Sequence, residues 1–477
     1  MAAVVDSNRD LRLFRHRRRL ARGGAGGGER GAGRTHLSAV RPRLQTTPGD
    51  CMQEFVAALL ETAPQPYHPA LVQAARAAAA GTAATPAAER ARDAAVRARV
   101  LRAFVAADLT DADLAGTTGY GYGDTARDSY ERLLAELFGA QRALARLSLV
   151  SGTHAIVATL AALVAPGERL LSATGRPYDT LRNAIAQDQA SLVRREGVEY
   201  DEVALRADGT VDLEALRAAL AEPTRAVFVQ RSRGYAPRPS LGVAQCGQIV
   251  EAVRAVSPQT LVLVDNCYGE FVEEREPTHV GADLCMGSLI KNPGGGLAPT
   301  GGYVAGRADL VERVATRLYA PGLGDRLGPT LGLGRLFFQG LFQAPLIVRE
   351  ALRGLRFAAA LFEQLGYAVD PAPAAPRSDI IQGIRLRDAG ELVAFARGLQ
   401  RALPVNARFA PEPGPVPGYI DRVVMAGGSF VSGATLELSC DAPVRPPFDV
   451  YLQGGLMAEH TAMGAMGAAQ ALLERGG

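Results

Sequence analysis

The chain has no tryptophan and almost no lysine. Of its 52 basic residues, 51 are arginine and one, Lys291, is lysine. Arginine serves wherever charge alone is required. Its guanidinium stays protonated and does not condense with a carbonyl, whereas a deprotonated lysine amine forms a Schiff base. A chain that writes every other positive charge as arginine therefore marks Lys291 as a residue kept for its amine. Cysteine is also sparse: Cys51, Cys246, Cys267, Cys285 and Cys440 are widely spaced, odd in number and contain no Cys-x-x-Cys pair. That pattern excludes a disulfide framework or zinc site, so no metal is expected, and it points to a reducing, cytoplasmic compartment. No apolar run reaches the roughly 20 residues that cross a bilayer, which excludes a membrane partner. The net charge of +3 is unevenly spread, because residues 1–50 hold 11 arginines against Asp6, Asp10, Glu29 and Asp50. The remaining chain is net acidic and offers nucleic acid no basic face.

With 477 residues, nearly half of them apolar, the chain has material for several structural units. Residues 1–50 combine RHRRRL with RGGAGGGERGAG and are too poor in apolar side chains to fold. They read as a disordered Arg/Gly-rich extension, with Met52 the expected start of the ordinary sequence. Residues 51–115 read as N-terminal helices interrupted by Pro64, Pro66 and Pro69. Residues 116–330 alternate strand and helix signals. Asp124 caps a helix closed by Gly139, and RLSLVSGTHAIVATLAALV reads as a strand, a tight turn and a helix. Then come LLSA, a helix from Tyr178, the strand RAVFVQ and a helix from Gly242 to Val256. This rhythm predicts an α/β fold with a largely parallel sheet. Residues 331–477 read as a long connecting helix and a smaller C-terminal α+β domain. Its strands are expected near Ile380–Leu386 and Thr435–Cys440, and its helices near 390 and 460.

The chemistry gathers between Leu261 and Val304. LVLV is an apolar run of the kind buried on both faces of a parallel sheet, and it ends in Asp265. A second strand from about Asp283 to Gly287 leads to Ser288 and Lys291. Carboxylate, hydroxyl and amine thus arrive at the C-terminal edge of one sheet, where open α/β folds bind ligands. That trio suits pyridoxal phosphate (PLP). The lysine holds the aldehyde as an imine, the aspartate keeps the pyridine nitrogen protonated, and the hydroxyl helps to bind phosphate. At about 4 Å and an effective dielectric near 20, such an ion pair is worth about 4 kcal/mol before desolvation, enough to move a ring pKa by a few units. Ser151, Gly152, Thr153 and His154 stand where the free amides of a helix N-terminus can hold phosphate oxygens. Cys267, two residues past Asp265, either faces the site or is a small buried thiol. Tyr120 and Tyr122 alternate in a glycine-rich loop, as exposed turn residues or as phosphate contacts. In the proline-bracketed CDAPVRPPFD, Arg445 suits bidentate recognition of a substrate carboxylate. The GGGLAPTGG run lacks Gly-Lys-Ser/Thr and opens no helix after a strand, which excludes a nucleotide loop.

Taken together, TGYGYGD, VSGTHA, GRPYDTL, QRSRGY, VDNCYGEF, GSLIKNPGGGLAPTGGY, FQGLF and YLQGGL resemble the bacterial methionine gamma-lyase-like family, also called aluminium-resistance proteins. The likeness runs from about Met52 to Leu473. It implies the aspartate aminotransferase-like, type I PLP fold. It also implies a carbon–sulfur lyase that takes a small amino-acid substrate and releases thiol, 2-oxo acid and ammonia. By resemblance, Lys291 is the imine lysine, Asp265 the pyridinium partner and Ser288 a phosphate ligand, with Gly152 and Thr153 offering amides. Tyr178 matches the ring-stacking tyrosine, which could also protonate the leaving sulfur, and His154 is the second choice for stacking. Tyr120 and Tyr122 match a loop that reaches a neighbouring subunit's site in a homodimer or homotetramer, although Tyr-Gly-Tyr stands where the broader group has Tyr-x-Arg. Arg445 matches the binder of the α-carboxylate. The alternatives are gamma-replacement or aldol cleavage on the same cofactor, or PLP binding without turnover in metal tolerance.

Overall fold

Short apolar runs separated by Gly, Pro and Asp become the strands of a seven-stranded sheet in the computed structural model, which describes residues 51–476. The expectation of a disordered extension at 1–50 lies outside the described residues. The strands are β1 (Arg142–Arg146), β2 (Arg169–Ser172), β3 (Glu199–Glu202), β4 (Ala226–Gln230), β5 (Leu261–Asp265), β6 (Leu284–Ser288) and β7 (Gly302–Gly306), in the order β1-β7-β6-β5-β4-β2-β3. Every pairing from β6 to β3 is parallel, and β7 alone runs against its neighbours. β4, β5 and β6 are buried at every position, as strands covered on both faces must be. One apolar cluster fills one face of this sheet and continues into the rest of the protein, while a second fills the face under the helix Gly152–Leu163.

A second sheet is antiparallel throughout. It comprises β8 (Ala368–Asp370), β9 (Ile381–Arg385), β10 (Val423–Gly427), β11 (Ser439–Pro443) and β12 (Asp449–Gln453), in the order β10-β11-β12-β9-β8. The 31-residue helix Gly334–Gln364 leads into it, and the helices Ala389–Gln400 and Ala458–Gly476 accompany it. The architecture is therefore mixed α/β with a large, mostly parallel sheet and a separate antiparallel one. Among the described residues the N-terminal segment forms three helices, Cys51–Thr62, Pro69–Thr82 and Ala87–Ala106; Pro64 and Pro66 lie in the first break and Pro69 opens the second helix, while the second break, before Ala87, ends at Pro86.

Two strand positions need correction. The strand expected at RLSLV ends at Arg146, its first residue, and Leu147–Val150 turns away, because the β1 residues that pair with β7 are RALAR. The strand expected near Thr435–Cys440 begins only at Ser439. The buried Glu437 carboxylate accepts the backbone N–H groups of Phe430 (2.8 Å) and Val431 (2.9 Å), which folds the preceding residues into a loop. Among the described residues no helix is long and apolar enough to cross a membrane, and no cluster of His, Cys, Asp or Glu could hold a metal ion.

Candidate active site

The parallel strands β4, β5 and β6 end side by side at a cavity of about 350 Å³. Register brings Gln230 at the end of β4 opposite Asp265 at the end of β5, and Ser288 closes β6 three residues before Lys291. Asp265, Ser288 and Lys291 all line the cavity, as do Ser151, Gly152, Thr153 and Tyr178. Seven of the eleven residues singled out from the sequence as candidate ligands are thus brought together.

Lys291 is half-buried in the cavity wall. Its Nζ lies 3.8 Å from the ring centroid of Tyr268, a cation–π contact. Burial pulls its ammonium down, but the acidic groups around it, Cys267, Tyr268, Asp265 and Tyr178, outweigh this and hold it above the usual lysine range. Burial in turn pushes the Asp265 carboxyl up, against the pull of Lys291 and of the Cys267 N–H that donates to Oδ1 at 3.1 Å. The backbone around Lys291 is fixed by Asn292, whose Nδ2 donates to the carbonyls of Tyr268 (3.0 Å) and Glu270 (2.9 Å). Tyr268 itself sits at φ 70°, a left-handed conformation that a bulky residue adopts only where its surroundings impose it.

The helix Gly152–Leu163 points its N-terminus into the cavity. Ser151 caps it by accepting the His154 N–H at 3.1 Å, leaving Gly152 and Thr153 at the mouth. A Cβ on Gly152 would lie 2.9 Å from Cys267 Sγ and 3.4 Å from Ser288, so this close approach requires glycine. Tyr178 is set by Gln230, whose Oε1 accepts its N–H at 3.1 Å, and its hydroxyl shares a 2.9 Å hydrogen bond with Thr153 Oγ1.

Two expected residues lie elsewhere, and two tyrosines face outward. His154 does not line the cavity: about 100° separates consecutive side chains on a helix, so a neighbour of Thr153 turns aside. Arg445 is absent from the lining as well. Its Nη1 pairs with Asp421 at 2.7 Å and Asp179 at 3.5 Å, so the guanidinium expected to take a substrate carboxylate is already engaged by two acids brought near only by folding. Tyr120 and Tyr122 are 75% and 60% exposed, with ring centroids 5.9 Å apart, away from this chain's own cavity. Conversely, Gln230, Ser232, Tyr235, Cys267, Tyr268 and Tyr419 line the cavity without having been singled out as ligands. The motifs QRSRGY and VDNCYGEF contained five of them, and alternation along a loop gave no sign of which faced inward.

The residues fit pyridoxal phosphate. A half-buried amine stands ready for the aldehyde, a buried carboxylate lies at the adjoining strand end, and a glycine-opened helix N-terminus with the hydroxyls of Thr153 and Ser288 forms a neutral cradle for phosphate. Such a fold and site define a PLP-dependent enzyme. Residues 73–473 match the methionine gamma-lyase family, and the chain belongs to that family of PLP-dependent lyases. The solved structure of a carbon-sulfur lyase involved in aluminium resistance from Clostridium novyi is 38% identical. It has a TM-score of 0.80 and is aligned over 85% of this chain and 96% of that one. Protein YnbB of Bacillus subtilis is 42% identical over 380 residues, 79% of this chain and 90% of its own length. The PLP-dependent protein YhfS of Escherichia coli shares the fold at 20% identity, with a TM-score of 0.53 over 80% of this chain and 95% of that one.

Proposed function

We propose that this protein is a cytoplasmic carbon–sulfur lyase of the aspartate aminotransferase-like, type I PLP fold that acts on a sulfur amino acid as a methionine gamma-lyase does, releasing thiol, 2-oxo acid and ammonia. The observation that carries this is the Lys291 amine at the same strand-end cavity as the buried Asp265 carboxylate. The family match and the 38% identity to a clostridial carbon-sulfur lyase support the choice of sulfur chemistry over other reactions of the same cofactor.

Lys291 would hold the cofactor's aldehyde, Asp265 its ring nitrogen, and Gly152, Thr153 and Ser288 its phosphate, with Tyr178 against the ring. The bound cofactor supplies an electron sink conjugated to the substrate Cα. Lys291 would also take the Cα proton of the substrate at Nζ. Asp265 stays ionised while a positive ring nitrogen lies beside it, because the opposite charge offsets the burial that otherwise raises its pKa. Gln230 keeps Tyr178 in place through its backbone N–H.

Among the described residues no arginine lines the cavity within one chain. A phosphate dianion held only by neutral donors supports a homodimer or homotetramer in which a second subunit covers the site with the exposed Tyr120–Tyr122 loop. Incubation with methionine, homocysteine, cysteine or cystathionine, followed by assay of 2-oxo acid and free thiol, tests the reaction. Product from at least one of them is expected, and none from any would remove the lyase assignment.

A further inference from the structure

We propose that Tyr419 sets which sulfur substituent the site accepts, by walling off the part of the cavity that takes the substrate's leaving group. This rests on the carbon–sulfur lyase reading and narrows it to small groups on sulfur. Among the described residues that line the cavity, only Tyr419 and Gly433 come from the chain beyond Lys291. The residues proposed to hold the cofactor all come from the large-sheet part of the chain, so the substrate's side chain is left to face the other unit.

The sequence PVPGY builds a fixed perch for the Tyr419 ring. Pro417 and Gly418 are the central pair of a turn closed by the Tyr419 N–H, which donates to the Val416 carbonyl at 3.0 Å. Gly418 takes φ 86°, as the second central residue of a type II turn does. The turn rests on the short helix Asp179–Arg182. A Cβ on Gly418 would lie 2.9 Å from Thr180 Oγ1 and 3.1 Å from its Cα, and Asn183 Nδ2 donates to the Gly418 carbonyl at 2.7 Å. At the base of the turn Arg445 pairs with Asp421 at 2.7 Å and reaches Asp179 at 3.5 Å. Arg445 thus acts as a positioning residue, tying the turn to the helix that carries Thr180, itself a lining residue. The Tyr419 ring lies 5.3 Å from that of Tyr235, which stacks on Tyr451 of β12 with centroids 5.4 Å apart and planes at 21°. Rings at these separations are in contact, so Tyr419 has no room to give way in that direction. The cavity of about 350 Å³ has to hold cofactor and amino acid together. A methyl group on sulfur asks little of this wall, whereas a benzyl group has to displace a ring held from two sides.

The test uses S-methyl, S-butyl and S-benzyl conjugates of cysteine and homocysteine, together with their α-methyl analogues, which have no Cα proton to lose and report affinity alone. Wild type is expected to show kcat/KM for S-benzyl at least about tenfold below that for S-methyl. Tyr419→Ala should move this ratio toward S-benzyl by about tenfold or more, and Tyr419→Phe, which keeps the ring, should leave it within about threefold of wild type. The calorimetric affinities of the α-methyl analogues should shift in the same ratio, and the cofactor absorbance of each variant reports an intact site. A ratio unchanged in Tyr419→Ala, a Tyr419→Phe that shifts as far as alanine, or a wild type that takes S-benzyl as readily as S-methyl overturns the assignment and leaves the lyase standing. If wild type releases thiol from no conjugate, the lyase reading falls and the affinity ratio alone decides for or against Tyr419. Affinity for none of the analogues removes both.

Discussion

Among single residues, Asp265 and Glu270 show how burial is put to opposite uses. Asp265 is buried but faces a cationic partner, and its carboxylate is the group that would keep the cofactor ring electron-poor. Asp265→Asn keeps the shape and removes the charge. Because such a pair is worth about 4 kcal/mol, kcat should fall by about 10² to 10³-fold while Lys291 still binds the cofactor, as steady-state rates and visible absorbance will report. Glu270 lies deeper. Burial pushes its carboxyl up to about 8, one oxygen accepts the Tyr303 hydroxyl at 2.8 Å, and the other has no partner among the described residues. Its folded pKa lies above the unfolded value, so the stability it contributes is fully present below about pH 4.5 and is lost as the pH rises through about 8. Glu270→Gln should therefore gain in melting temperature relative to wild type between pH 5 and pH 9. A difference that does not change with pH would show that Glu270 titrates normally.

Among elements, two devices hold the site together. The helix Gly334–Gln364 approaches the Lys291 loop so closely that a Cβ on Gly340 would run into the Gly294 carbonyl, and Gln343 Nε2 donates to the Gly295 carbonyl at 2.7 Å. Gly340→Ala should destabilise the fold by about 1–3 kcal/mol through overpacking, read in denaturant melts, and should also weaken cofactor retention because the strain falls on the Lys291 loop. The second device is Asp124. Besides capping its helix through the Arg127 N–H (2.9 Å), it accepts from the N–H and hydroxyl of both Thr117 and Thr330, which ties the Tyr120–Tyr122 loop to the 321–332 loop. The cap was legible because Asp before an amphipathic helix that ends in Gly is a local signal. Its long-range partners were not, since Thr330 is 206 residues away. The same division runs through the site. Lys291, Asp265 and Ser288 could be read because strand ends carry them, and Gly152 and Thr153 because a helix start does. Tyr235, Tyr419 and Tyr451 come from separate strands and loops that only the packed second sheet aligns. Arg445 failed for the matching reason: its proline-rich loop was visible, but Asp179 and Asp421 were not.

At the scale of the whole molecule, the parallel sheet supplies the cofactor end of the cavity and the antiparallel sheet supplies Tyr451 behind its far wall. The surface carries Val150, Leu323, Leu331, Tyr120 and Tyr122 exposed. If a second subunit completes the phosphate site, sedimentation should show a dimer or tetramer. Tyr122→Asp should shift it toward monomer and weaken PLP binding together, whereas dissociation without loss of cofactor would place the whole site within one chain. The central claim concerns one amine, and the visible absorption spectrum tests it most directly. Wild type purified with PLP should show the band of a cofactor imine, removed by borohydride into a stable protein adduct, and Lys291→Ala should show neither. An unchanged band and adduct in Lys291→Ala would contradict the account, because this chain has no other lysine to form them.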